Sequence, residues 1–434
     1  MNQREFARRR RAIMRMTGKG SIAILPAAPM RLRNRDVEYP YRQDSDFQYL
    51  TNFSEPESVA VLVPGREQGE LLIFCRERDP ERAIWDGERA GPDGAVRDFE
   101  ADEAYPIGEI DDVLPKIIEQ CERVYYTMGL HPDFDTRLIG WVTELRQRSG
   151  IGSHTPDEFI ALDHLLHDLR LYKSRAELGA MRKSASIAVQ AHRRAMQACR
   201  PGMYEYELEA EYIHEFRRNG VVTSYQPIVG GGANACVLHY IENNQPLEEG
   251  DLVLCDVGCE YDHYASDITR TWPVNGQFSA AQRELYEVVL EAHDAAIAQT
   301  LPGHHWNDPH DAAVKIITKG LVELGLLKGA LQTLIKEEKY RRFFMHRTGH
   351  WLGMDVHDVG DYKVSDHWRL LEPGMVLTVE PGIYVPENRN IPKRFRNIGI
   401  RIEDDVAVTK GGNDVLTAGV PVDPDEIEAL MGQS

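Results

Sequence analysis

The sequence predicts a two-part α/β protein whose second part is internally duplicated. Three observations carry this. Short apolar strands alternate with helices over the first ~170 residues. The middle of the chain then turns helix-rich. Finally, "LEEGDLVLCD" (Leu247 to Asp256) is echoed by "LEPGMVLTVE" (Leu371 to Glu380). Both stretches read L-E-x-G, five residues, then a carboxylate. The echo predicts two related halves, each delivering an acid to a shared centre.

In the first part, "SIAILPA", "VAVLVPG", "GELLIFC" and "RVYYTMG" read as strands and "EIDDVLPKIIEQC" as a helix. This part holds no Gly-rich phosphate fingerprint and no clustered metal ligands. A boundary is expected at "RLYKS", which divides the chain into domains 1–172 and 173–434. The second begins with a long helix. Ser174 is a suitable N-cap for it, and Pro201-Gly202 ends it. A second helix, "YEYELEAEYIHEFRRNG", stops at Gly220, and glycines and strands follow.

Totals bound the function. The chain has 434 residues, of which 42% are hydrophobic and 27% charged, and a formal net charge of -19. Such a field disfavours nucleic acid, whose phosphates need a basic surface. No segment has the length and apolarity of a membrane span. The arginine run Arg8 to Arg11 lacks the apolar stretch that a signal peptide would place after it, and reads as an amphipathic surface helix. Six cysteines without a C-x-x-C pair read as reduced, buried thiols, which fits a cytoplasmic protein.

The chemistry is signalled by acids in apolar strands. Asp256 ends "DLVLCD" on the face of Leu252 and Leu254. Asp267 follows eleven residues later, and a turn near Glu260 to His263 would bring the two together. Glu380 ends another apolar strand. Glu403 lies in "IGIRIEDDVAVT", read as one strand in which it shares a face with Arg401. A single such acid is usually salt-bridged. Four of them repel and raise one another's pKa unless cations intervene. Four carboxylates and one neutral imidazole carry a charge of -4, which two dications cancel, and oxygen-rich ligands suit Mn²⁺ or Mg²⁺. The imidazole comes from "HRTGHWLGMDVHDVG". His346 and His350 are four apart, but Arg347 stands where a zincin helix needs Glu and Gly349 weakens a helix.

Jointly, "YPYRQDSDFQYLTNFSEPES", "LRLYKS", "HWLGMDVHDVG", "LEPGMVLTVEPGIY" and "IGIRIEDD" resemble the pita-bread metallopeptidases, most closely the aminopeptidase P type. The resemblance spans nearly the whole chain. It implies an N-terminal α/β domain followed by a pita-bread domain with pseudo-two-fold duplication. It implies hydrolysis of the bond between an N-terminal residue and a proline in second position, by a hydroxide bridging two metals. The implied ligands are Asp256, Asp267, His350, Glu380 and Glu403, with Asp267 and Glu403 shared. The implied ions are two divalent metals, Mn²⁺ first, with Zn²⁺, Co²⁺ or Mg²⁺ as alternatives. Glu380 would also carry protons. His346 would stand near the leaving group, His357 near the substrate main chain and His239 near the reacting carbonyl. Arg401 and Tyr362 would form a pair supporting a ligand. Trp85 would close a neighbouring subunit's pocket in a homo-oligomer, dimer or tetramer. Arg347 and Thr348 depart from the small or apolar residues that relatives often carry after the first histidine.

Overall fold

The computed structural model describes residues 1–148 and 154–433. Its contacts divide the chain into two compact units, one ending at Leu169 and the other starting at Arg170.

The first unit is built on a six-stranded mixed sheet. Its strands are β1 (Ser21–Pro26), β2 (Val59–Leu62), β3 (Leu71–Cys75), β4 (Glu103–Pro106), β5 (Arg123–Tyr125) and β6 (Glu158–Ile160), in the order β4-β3-β2-β1-β5-β6. The four expected strands are β1, β2, β3 and β5, and the expected helix spans Ile110–Ile118. Strands β1 to β3 are buried almost throughout, because helices such as Ile110–Ile118 and Pro132–Arg148 cover the sheet with Leu114, Phe134, Leu138 and Trp141. The arginine run lies on the helix Gln3–Thr17. It is less superficial than its sequence suggests, since Arg9 and Arg10 are buried. They donate to the carbonyls of Tyr49 and Leu50, at the end of the helix Ser45–Thr51, with N–O distances of 3.0 Å. A cation there meets the negative end of the helix dipole.

The second unit repeats one pattern twice. Helices α1 (Arg175–Ala198) and α2 (Glu205–Arg218) pack together and precede the antiparallel sheet β7-β8-β9 (Ile228–Gly231, Leu252–Asp256, Thr269–Pro273). Helices α3 (Ala280–Gln299) and α4 (Asp308–Glu323) pack together and precede the antiparallel sheet β10-β13-β14 (Val376–Val379, Asp404–Thr409, Gly412–Val415). Between β10 and β13 runs the ribbon β11-β12 (Gly382–Val385, Ile398–Arg401). Strands β8 and β10 each follow one copy of the L-E-x-G echo, so the repeat in sequence is a repeat in fold. Ser174 caps α1 in a capping box with Glu177. One core joins both halves, from Ile187 and Tyr212 through Val253 and Trp272 to Val289, Ile317 and Val406. All six cysteines are free thiols, five of them buried. Among the described residues no helix is long and apolar enough to cross a membrane.

His192 ties α1 to the end of β8. It is fully buried, with Nε2 3.0 Å from the Val257 carbonyl and Nδ1 3.0 Å from the Tyr212 hydroxyl. The carbonyl can only accept, so Nε2 carries the proton and Nδ1 accepts from the tyrosine. Burial pushes the imidazole pKa down to about 3. The unfolded chain therefore takes up a proton below pH ~6.5 that the native state refuses, and stability falls as pH falls. From pH 7 to pH 5 this group costs about 2 kcal/mol. Urea unfolding of wild type and His192→Asn at the two pH values measures it. The variant starts less stable at pH 7 but loses about 2 kcal/mol less on acidification. Parallel losses would contradict this account.

Candidate metal centre and active site

Asp256 is the last residue of β8, where it pairs with Ile228 of β7 and Thr269 of β9. The expected turn is present. A hairpin, Cys259–Tyr261 with Tyr264–Ala265, closes on Asp262 and His263, both at positive φ (52° and 65°), as a two-residue hairpin loop requires. The chain returns with Asp267 two residues before β9, and the two carboxylates face each other across the hydroxyl of Tyr225. Its oxygen lies 2.5 Å from Oδ1 of each. Glu380 follows β10. His350 is supplied by the irregular segment beside β10, anchored where Thr378 N–H donates to the His350 carbonyl at 2.9 Å.

Glu403 corrects one expectation. "IGIRIEDDVAVT" is not one strand. β12 ends at Arg401, β13 starts at Asp404, and the two belong to different sheets. The break is stable because its polar groups are satisfied. Glu403 N–H donates to the Thr269 carbonyl at 3.0 Å, and the buried guanidinium of Arg270 donates to the Glu403 carbonyl at 2.5 Å. Arg401 and Glu403 nevertheless meet, through the Thr269 hydroxyl. It donates to Glu403 Oε2 at 2.5 Å and accepts from Arg401 Nε at 3.1 Å.

These side chains line one cavity of about 630 Å³. Asp256, Asp267, His350, Glu380 and Glu403 all face it, as do His239, His346, His357 and Arg401. Ligand atoms of Asp267, His350 and Glu403 lie within 4.8 Å of one another. His350 Nε2 is 3.4 Å from Asp267 Oδ2 and 3.8 Å from Glu380 Oε1, and its ring meets that of His357 at 4.3 Å between centroids. His346 Nδ1 is 3.8 Å from Glu380 Oε2.

The electrostatics are those of a cation site. Burial, with the charges of the neighbouring acids, pushes the Glu380 carboxyl up to about 7 and Glu403 well above the carboxylate range. At His350, burial opposes the charged ring but is outweighed by the Asp267 hydrogen bond and the Glu380 charge, and the pKa rises to about 9. Tyr225 has one proton for two carboxylate oxygens at equal distance, so one of them is left without it. Crowded acids in this state must gain protons or bind cations. The donor set is four carboxylates and one imidazole, open to a cavity and free of thiolate, and it fits hard or borderline divalent ions.

The chain matches the profile described as metallopeptidase family M24 over residues 179–410. It belongs to metallopeptidase family M24. As an M24 member it is a hydrolase, and its first unit matches the profile of the aminopeptidase P N-terminal domain over residues 6–125. The M24 chain is 46% identical to the Xaa-Pro aminopeptidase of Escherichia coli K12, over 99% of its own length and 98% of that protein's. Its fold superposes on Pseudomonas aeruginosa aminopeptidase PepP with a TM-score of 0.99 at 58% identity, covering 100% and 98% of the two chains. It superposes on the Zn-substituted aminopeptidase P of E. coli in complex with product with a TM-score of 0.97 at 45% identity, covering 100% and 99%.

Around these five side chains, three supports were not evident in the sequence. One is Tyr225. The second is Tyr384, and it corrects the expected pairing of Arg401 with Tyr362. Arg401 donates to Asp256 Oδ2 at 2.5 Å and to the Tyr384 hydroxyl at 2.9 Å, and that hydroxyl also lies 2.8 Å from His346 Nε2. Tyr362 instead stacks on Trp351 at 5.6 Å and accepts from its backbone N–H at 3.3 Å. Tyr384 is next but one after Gly382 on β11, buried with its hydroxyl between Arg401 and His346, whereas Tyr362 sits in a loop before the ribbon. The third support explains "LRLYKS". Arg170 and Lys173 grip buried Asp358, at 2.6 and 2.9 Å, and so hold the loop that carries His357. Gly353 is required there, since a Cβ would fall 2.1 Å from Asp358 Oδ2. Trp85 belongs to the first unit, on the short helix Pro80–Asp86, and is 81% exposed.

Proposed function

We propose that the protein is an Xaa-Pro aminopeptidase acting through a dinuclear metal centre. The observation that carries this is the convergence of four carboxylates and His350 in a cavity that also presents His239, His346 and His357. Asp256, Asp267, His350, Glu380 and Glu403 would hold two divalent ions, Mn²⁺ first. Bound there, such ions would supply Lewis-acid chemistry and a water acidic enough to act as nucleophile.

The chain's own groups do the rest. The acids take the substrate's free amine near Asp256, which limits cleavage to the first bond. His239 donates to the carbonyl oxygen as negative charge develops on it. Glu380, between His346 and His350, carries the proton from the attacking water towards the departing nitrogen, and His346 assists. His357 contacts the main chain. Proline lacks an N–H, so its selection rests on ring shape against apolar lining such as Ile241 and Leu238. Arg401 and Tyr384 keep Asp256 and His346 in register. In a dimer or tetramer, the exposed Trp85 closes a partner's cavity.

The test is hydrolysis by Mn²⁺-loaded protein of Xaa-Pro-Yaa, Xaa-Pro and Xaa-Ala-Yaa. Release of the first residue from Xaa-Pro-Yaa is expected to exceed the other two by at least about tenfold. Preference for the dipeptide would make it a prolidase, and two bound ions without any proline-directed cleavage would overturn the reading.

A further inference from the structure

We propose that Arg347 is a specificity residue of this site, taking the C-terminal carboxylate of a short substrate Xaa-Pro-Yaa. The proposal rests on the peptidase reading above. Two arginines line the cavity, Arg347 and Arg401. Arg401 is buried and spent on Asp256, Tyr384 and Thr269. Arg347 is exposed and differently held. Its guanidinium donates to Asn307 Oδ1 and lies 5.0 Å from the centre of the Trp368 ring. Both partners are neutral. Among the described residues it makes no ion pair within 4.0 Å, and the acid whose charge acts on it is Asp311, so its direction is set by neutral contacts while the guanidinium is left without a carboxylate in hydrogen-bond reach. Its backbone is pinned as well. The next residue, Thr348, is buried, with its hydroxyl 2.8 Å from His310 Nδ1, and its carbonyl accepts from Glu380 N–H at 2.8 Å.

Charge gives the peptide a direction. The amine end is drawn to the acids around Asp256 and Asp267. His346, beside Glu380, faces the departing proline nitrogen, and Arg347 is its chain neighbour. In an extended Pro-Yaa leaving group the terminal carboxylate lies about 7 Å beyond that nitrogen, a distance one arginine side chain spans. A guanidinium offers a planar fork that pairs with both carboxylate oxygens. A carboxylate could also come from an acidic side chain at Yaa, but a short peptide always brings its terminus to this position.

The experiment measures kcat/KM of Mn²⁺-loaded wild type, Arg347→Met and Arg347→Lys. The substrates are Ala-Pro-Ala as free acid, Ala-Pro-Ala amide and Ala-Pro-Asp amide. Wild type is expected to prefer the free acid over its amide by about tenfold, mostly through KM, with the preference shrinking in high salt. The ratio falls to about one in Arg347→Met and is intermediate in Arg347→Lys. Equal ratios in wild type and Arg347→Met would overturn the proposal. So would an Asp-amide cleaved as well as the free acid, which would assign Arg347 to a side chain instead. Failure of wild type on all three peptides would sink the peptidase reading itself, a different outcome from an unaltered ratio.

Discussion

Glu403→Gln lowers kcat/KM for Xaa-Pro-Yaa by about a thousandfold or more, equivalent to about 4 kcal/mol of transition-state stabilisation. Gln has the volume and one hydrogen-bonding oxygen of Glu, so the Thr269 contact and the fold survive. The negative charge does not. Glu403 stands with Asp267 and His350 in the tightest group of ligand atoms in the cavity. Losing that charge loosens the cations and, with them, the activated water and the polarised carbonyl. Metal content and hydrolysis should therefore fall together, while the circular dichroism spectrum stays that of wild type. A variant that keeps two ions per chain and a tenth of the activity would show that Glu403 is not a ligand.

Chelation is expected to abolish hydrolysis and to destabilise the second unit in a pH-dependent way. The buried acids then lose the charges that balance them. The Glu380 carboxyl, raised to about 7, binds a proton in the native state that the unfolded chain, near pH 4.5, has already released. A raised carboxyl makes metal-free stability fall as pH rises from about 4.5 through 7. Bound dications replace that proton, and saturation at a hundred times Kd adds about 2.7 kcal/mol. Thermal unfolding with chelator and with Mn²⁺, at pH 6 and pH 8, should show the metal-bound form melting higher at both and the gap wider at pH 8. Restored activity on adding Mn²⁺ completes the test. A gap that stays constant or narrows at pH 8 would contradict the assignment of these acids as a metal cage.

Much of the site was legible because its residues break a local rule. Asp256, Asp267 and Glu380 are carboxylates beside apolar strands, where desolvation is costly unless a charge compensates. His350 was legible only together with them, since the four-residue spacing from His346 pointed to a helix that the structure does not contain. The supporting residues break no rule. Tyr225 and Tyr384 are ordinary tyrosines in their local sequences. Their roles arise because β7, β8, β11 and β12 bring them against Asp256 and His346. The buried grip of Arg170 and Lys173 on Asp358 joins positions about 190 residues apart and leaves no periodic trace.

The sequence by itself determined the class of the chemistry and its repeated architecture. Strand periodicity, the L-E-x-G echo and the uncompensated acids are local properties, set by side-chain hydrophobicity and charge. The tertiary structure decided the rest. It split "IGIRIEDDVAVT" between two sheets so that Glu403 turns into the cavity, gave Arg401 to Tyr384 rather than Tyr362, and left Arg347 oriented without an ion-pair partner at the cavity wall. These are choices among partners distant in the chain. They follow from which polar groups can satisfy one another once the core has closed, and no stretch of sequence contains that information alone.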